Sequence, residues 1–197
     1  MAETHLQKIC ILGMAGSLRK NSFNRGALKF AQQSVPSNAT LEIIELGDIP
    51  LYNQDFDLQM PPPVLNLKAK IESADAILLV TPEYNHSISG VLKNAIDWAS
   101  RPYGKSSWDS KPVAAIGASS GTFGTARAQA HLRQIFGTLN MYPLNRPQVM
   151  ISNSAEKFDA NGNLTDEVTK EKIRELVAAL IEWTARLNKN NIGSKKK

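Results

Sequence analysis

Ala74-Asp75-Ala76-Ile77-Leu78-Leu79-Val80-Thr81 decides how this chain folds. Ala76 to Val80 is an unbroken apolar run with no alternation between an inner and an outer face. Such a strand is buried on both sides, as in the middle of a parallel sheet with helices on each face. Upstream, Lys8 to Gly13 and Leu41 to Leu46 read as two further strands. Downstream, Pro112 to Ala118 and Arg146 to Ile151 bring the number to five.

Helical spacing fills the intervals. Phe23, Ala27, Phe30 and Ala31 recur along Ser22 to Val35. Ile88, Val91, Leu92, Ala95, Ile96 and Ala99 form one stripe. Leu132, Ile135, Phe136 and Leu139 align within Gly124 to Leu139. A last helix carries Ile173, Leu176, Val177, Leu180 and Ile181. Thr165 is its expected cap, and Asp166 and Glu167 lie in its first turn, where the helix dipole favours acids. Pro61-Pro62-Pro63 reads as a stiffened loop. Strand and helix alternate, which predicts an α/β, doubly wound, five-stranded parallel sheet with helices on both faces.

The 197 residues suit a single domain, expected over residues 1–189 with a flexible basic tail at 190–197. Cys10 is the one cysteine, so no intrachain disulfide can form, and its place in the first strand suggests core. No apolar run approaches the roughly 20 residues a membrane helix requires. The first eight residues show no apolar signal core, so a cytoplasmic location and no membrane partner are expected. Net charge is +5, and Lys195, Lys196 and Lys197 supply three of those units. The remaining basic residues gather on no nucleic-acid motif, so no nucleic-acid partner is expected. His5, His86 and His131 are far apart, and neither a metal site nor a catalytic triad is evident. Asp159 to Asn163 resembles a calcium loop, but its glycine falls too early, and the segment reads as a turn.

In sheets of this kind ligands bind beyond the carboxyl ends of the strands. Three loops there are unusual in composition. Gly16-Ser17-Leu18-Arg19-Lys20-Asn21-Ser22-Phe23-Asn24 places hydroxyls, amides and an arginine at a helix N-terminus, where backbone N–H groups favour an anion. A phosphate monoester fits it, and a simply capped helix start is the alternative. Thr81-Pro82-Glu83-Tyr84-Asn85-His86-Ser87-Ile88-Ser89-Gly90 pairs an aromatic face with directional hydrogen-bond groups. That suits a planar heterocycle or, equally, a strand-to-helix connection capped by Ser87 or Ser89. Ser119-Ser120-Gly121-Thr122-Phe123-Gly124-Thr125-Ala126-Arg127 lets backbone approach a ligand, or is a flexible turn.

Gly16-Ser17-x-Arg19-x-x-Ser22-x-Asn24, Pro82-Glu83-Tyr84-Asn85 and Gly90-x-Leu92-Lys93-Asn94-Ala95-Ile96-Asp97-Trp98 together resemble the NADPH-dependent FMN reductase family, which includes quinone, azo-dye and chromate reductases. Leu51-Tyr52-Asn53-x-Asp55 and Ser100-Arg101-Pro102 resemble its pattern too. The resemblance implies a flavodoxin-like fold. It implies that Ser17, Arg19, Ser22 and Asn24 hold the FMN phosphate. Pro82, Glu83, Tyr84 and Asn85 would surround the isoalloxazine ring, and Ser119, Ser120 and Gly121 its other side or the ribityl chain. One position departs from the family: Thr125 follows Gly124 where a second glycine is common.

The activity implied is transfer of hydride from NADPH or NADH through FMN to a small acceptor such as a quinone, flavin, azo compound or chromate. The cofactor carries the chemistry, so no catalytic side chain is required. A flavodoxin-type FMN electron carrier without NAD(P)H activity is the alternative. Arg101, Lys105 and Arg127 are candidates for the nucleotide phosphates or an anionic acceptor, or else solvated surface. Tyr103 and Trp108 suggest a ligand lid or subunit interface, with core packing as the alternative. A homodimer or homotetramer is expected from the family.

Overall fold

The computed structural model describes residues 8–194. Residues 1–7, on which the expectation of no signal core chiefly falls, and the three closing lysines lie outside them. The parallel strands are β1 (Ile9–Ala15), β2 (Ala39–Ile44), β3 (Ala76–Thr81), β4 (Pro112–Ala118), β5 (Tyr142–Pro143) and β6 (Val149–Ile151). The helices are α1 (Phe23–Gln33), α2 (Pro62–Ser73), α3 (Gly90–Ala99), α4 (Ala126–Thr138) and α5 (Glu167–Ser194).

The sheet runs β2-β1-β3-β4-β5, with β6 also paired to β4. This is the flavodoxin-like order, and β3 lies at its centre with every residue buried. Ile77, Leu79, Leu12 and Met14 pack with α2, α3 and α4 on one face. Leu78, Val80, Ile11 and Ile116 pack with α1 and α5 on the other. That two-sided core is what the apolar run of β3 required.

The fifth strand position differs from expectation. Tyr142 pairs with Pro112 at the start of β4, and Val149 pairs with Ile116 near its end. The chain leaves the sheet between the two short strands. Pro62 is the first residue of α2, so the triple proline opens a helix. A proline there loses nothing, because its missing N–H has no intrahelical partner at that position. Asp166, not Thr165, caps α5: its Oδ2 accepts the Thr169 amide at 2.8 Å and the Thr169 hydroxyl at 2.5 Å. Those bonds hold the Asp166 carboxyl below its ordinary pKa of 3.8. The α5 backbone continues through Ser194, past the expected start of the tail. Cys10 is exposed rather than core, at the lower end of β1 beside Thr40. It lies near the N-terminal edge of the strand, below the layer that the helices cover.

Candidate functional site

β1 and β3 are neighbours whose connections leave in opposite directions, so their following loops part and open a crevice above the sheet. A cleft of 240 Å³ lies there, bounded by all three loops. The first contributes Ser17, Arg19, Ser22 and Asn24. The second contributes Pro82, Glu83 and Tyr84, and the third Ser119 and Ser120. Asn85 and Gly121 stand just outside this lining. Arg127 touches the lining only through Glu83, whereas Arg101 and Lys105 are not brought to the cleft: they follow the far end of α3, and Arg101 borders a separate groove.

The phosphate end is built on α1. Ser22 is its N-cap and accepts the Arg25 amide at 3.4 Å. The first turn holds no acidic residue, so nothing on the helix itself offsets the positive end of its dipole. Ser17 and Ser22 are buried. Arg19 is held in two ways: Nη2 donates to the Asn21 carbonyl at 2.7 Å, and the guanidinium lies 4.7 Å from the centroid of Phe23. Phe23 in turn packs on Phe158. The donors at this start, together with the missing acid, fit the phosphate of FMN.

Asn24 has a different duty. Its Nδ2 donates to the Ala118 carbonyl and its Oδ1 accepts the Ala118 amide, both at 2.9 Å. The buried side chain therefore ties the start of α1 to the end of β4.

The second loop is a tight turn. Tyr84 and Ser87 exchange backbone hydrogen bonds at 3.0 Å, with Asn85 and His86 at φ of 50° and 63° between them. Two successive positive φ values make a type I′ turn, which asparagine tolerates well. The turn presents Tyr84, 55% exposed, at the mouth of the cleft. The Ser87 hydroxyl meets His131 Nδ1 of α4 at 2.9 Å.

Glu83 does not present its carboxylate to open space. Oε2 accepts the backbone amides of Arg127 and Ala128, each at 3.0 Å, and Oε1 lies 3.7 Å from Arg127 Nη1. Thr125, the N-cap of α4, makes no capping bond, and the first turn of α4 holds no acid. Glu83 supplies both from another loop. Arg127 also lies over Phe123, 4.7 Å from the ring centroid.

The third loop is fastened from behind by a segment that the motifs did not mark. Ser119 donates to the Ile151 carbonyl, Asn153 to Gly121 and Ser154 to Ser119. Thr125, the family departure, is fully buried over Gly117, where any β-carbon would overlap its side chain. Its hydroxyl accepts Gln129 Nε2 at 3.1 Å, and the same amide reaches the Val149 carbonyl at 2.9 Å. A threonine fits here because residue 117 has no side chain.

Two other motifs are structural. Asn94 brackets the 49–52 segment, accepting the Tyr52 amide at 2.8 Å and donating to the Pro50 carbonyl at 2.8 Å. Trp98 Nε1 donates to the same carbonyl at 2.7 Å. Tyr52 stands edge-on to Trp98, and burial raises its hydroxyl above the usual pKa of 10.0, with Arg101 pulling the other way. The segment after α3 is pinned by Lys68, whose Nζ donates to the carbonyls of Ala99, Arg101 and Lys105 and to Ser107 Oγ. Burial pushes the Lys68 pKa below 10.5, while Glu72 acts against that shift. Trp108 is core and donates to the Ile96 carbonyl, whereas Tyr103 is 93% exposed. The Arg101 Nε is buried without a partner, and Arg101 and Tyr103 border a 590 Å³ groove between α3 and α4.

Among the described residues no cluster of side chains could hold a metal ion, and no helix is long and apolar enough to cross a membrane. Asp159 gathers the amides of Asn161 and Asn163 around its own carboxylate, as a turn does.

Residues 9–156 match the family model described as NADPH-dependent FMN reductase. The chain is 49% identical over 180 residues to an NAD(P)H-dependent FMN reductase of Pseudomonas aeruginosa, covering 91% of this chain and 97% of that one. It is 42% identical over 170 residues to a 2-hydroxy-1,4-benzoquinone reductase of Burkholderia, covering 86% and 93%. Among solved structures, the flavoenzyme FerB of Paracoccus denitrificans, an NAD(P)H:acceptor oxidoreductase, superposes with a TM-score of 0.82. It is 40% identical, and the match covers 90% of this chain and 98% of that one.

Proposed function

Because the chain belongs to the NADPH-dependent FMN reductase family, we infer that it reduces small-molecule acceptors with electrons from NAD(P)H, with FMN as its cofactor. The observation that carries this reading is the cleft above β1 and β3, where an acid-free helix start faces an exposed tyrosine across two serine-bearing loops. The carrier alternative is set aside, because relatives matched over nearly their whole length are named as NAD(P)H-dependent reductases.

Bound FMN supplies two-electron chemistry that no side chain of this protein has. The chain's own part is binding and orientation. Ser17, Ser22 and Arg19 hold the phosphate at the α1 N-terminus, where hydroxyls, guanidinium and helix dipole act together. Tyr84 offers a flat face, and the Pro82 to Asn85 backbone offers edge contacts to the ring. Ser119, Ser120 and Gly121 line the opposite side. Asn24 serves by holding α1 against β4. Of our three candidates for the nucleotide phosphates, Arg127 stands nearest the cleft, with Glu83 and Phe123 already engaging it, while Arg101 and Lys105 follow the far end of α3 and reach no part of the cleft.

A quinone is the acceptor we place first, in keeping with the Burkholderia relative's name; chromate, azo compounds and free flavin follow. We propose a homodimer or homotetramer working in the cytoplasm. The exposed Tyr103 beside the α3–α4 groove supports a subunit contact.

The test is direct. The purified protein should take up FMN in preference to riboflavin, which lacks the phosphate. The bound flavin should bleach when NADPH is added without air, and a quinone should restore its colour. Arg19→Ala should weaken FMN about 10- to 100-fold, as loss of a charge-assisted bond implies, and bring its affinity toward that of riboflavin. A protein that takes up no flavin refutes this reading.

A further inference from the structure

We propose that Glu83 is a positioning residue for the flavin reaction: its carboxylate acts as a built-in anion at the N-terminus of α4 and thereby sets the width of the cleft. The proposal rests on the flavin reading above. The resemblance assigns Glu83 to the surroundings of the ring, but the side chain turns away toward α4.

Three observations carry it. Glu83 Oε2 accepts two successive backbone amides of α4, those of Arg127 and Ala128, at 3.0 Å each. These are donors that a helix start leaves without partners, and a carboxylate there also meets the positive end of the dipole. The helix has no replacement, since Thr125 makes no capping bond and the first turn is free of acids. And Glu83 directly precedes Tyr84, the first residue of the type I′ turn, so little slack separates the capping oxygen from the ring of Tyr84.

The consequence is a fixed spacing. The second loop is tied to α4 through Glu83, and the end of the third loop is α4 itself. The aromatic face and the serine-bearing wall are therefore spaced by Glu83 next to the ring of Tyr84, with the Ser87–His131 bond a second tie farther along the loop. The α1 start carries no such internal anion and stays open to a phosphate. Of the two nearby helix starts, the one that borders the cleft is acid-free and the one behind Glu83 is already matched by its carboxylate, which leaves the charged end of FMN one helix start to meet.

The experiment uses the full chain freed of flavin, with Glu83→Gln, Glu83→Ala and Glu83→Asp beside the wild type. Amide hydrogen exchange of Arg127 and Ala128 is read first, without cofactor. FMN affinity, the visible spectrum of bound flavin and the separate kcat and KM for NADPH follow. Glu83→Ala should speed exchange at both amides at least tenfold, weaken FMN about tenfold and shift the flavin spectrum. Glu83→Gln, which keeps an acceptor oxygen, should recover most of the protection and of the affinity. Glu83→Asp, one methylene shorter, should recover less. Unchanged exchange in Glu83→Ala overturns the cap. Faster exchange with unaltered FMN affinity and spectrum overturns the positioning role. A wild-type chain that binds no FMN overturns the flavin reading and this proposal with it, whereas a flavin-binding wild type matched by Glu83→Ala overturns this proposal alone.

Discussion

Asn24 and Ala118 are joined by two reciprocal hydrogen bonds of 2.9 Å, side-chain amide to backbone carbonyl and backbone amide to side-chain oxygen. The pair spans 94 residues of sequence and is buried. Asn24→Ala leaves the Ala118 N–H and C=O without partners, each costing about 1–3 kcal/mol. The expected loss is about 3 kcal/mol in urea unfolding of the flavin-free protein, together with weaker FMN uptake. Asn24→Asp should also destabilise, because a second carboxylate oxygen would then face the Ala118 carbonyl.

Gly117 and Thr125 are a matched pair. A methyl at 117 overlaps the buried Thr125 side chain, so Gly117→Ala should cost about 1–3 kcal/mol by overpacking. Adding Thr125→Gly removes the obstacle. The double variant should be more stable than the sum of its parts predicts, by about 1 kcal/mol or more. Additive losses in a double-mutant cycle would disprove the fit.

His86 occupies a left-handed backbone position that glycine adopts without steric cost. His86→Gly should therefore stabilise the protein by about 1 kcal/mol. A raised melting temperature with FMN affinity retained is the expected result.

Asp166 links the stability of α5 to pH. Its folded pKa is depressed below 3.8, first by the Thr169 hydroxyl and then by the Thr169 amide. A depressed carboxylate stabilises the fold above its unfolded pKa and loses that contribution as pH falls through the lower, folded value. Asp166→Ala should cost about 1 kcal/mol at neutral pH. The gap from wild type should close as pH drops below about 3.8, which denaturation curves across acid pH will show.

What could be read in the sequence was what a local pattern encodes. The apolar run of β3 predicts its central place, and the three loops fall where parallel strands put them. The motif residues Ser17, Arg19, Ser22 and Tyr84 all reach one cleft. Relations across the fold could not be read so. Glu83 caps a helix that begins 43 residues later, and no spacing rule links the two. Pro62 opens a helix because proline serves both loops and first turns. For Trp108 the sequence leaves a ligand lid, a subunit contact and core packing open, and the structure has core packing, with the indole donating to the Ile96 carbonyl of α3. The residues that hold the site's geometry, among them Gln129 and Thr125, bear side chains common in any helix or turn.

The exposed Cys10 offers a use for the geometry of the sheet. It stands near the start of β1, while the cleft opens beyond the other end of that strand. Five further residues of extended chain put about 17 Å between the thiol and the end of the strand. Among the described residues no other sulfhydryl competes with it. A maleimide linker on Cys10 would therefore fix the molecule to an electrode or bead in one pose, cleft outward, with the tether remote from the redox centre.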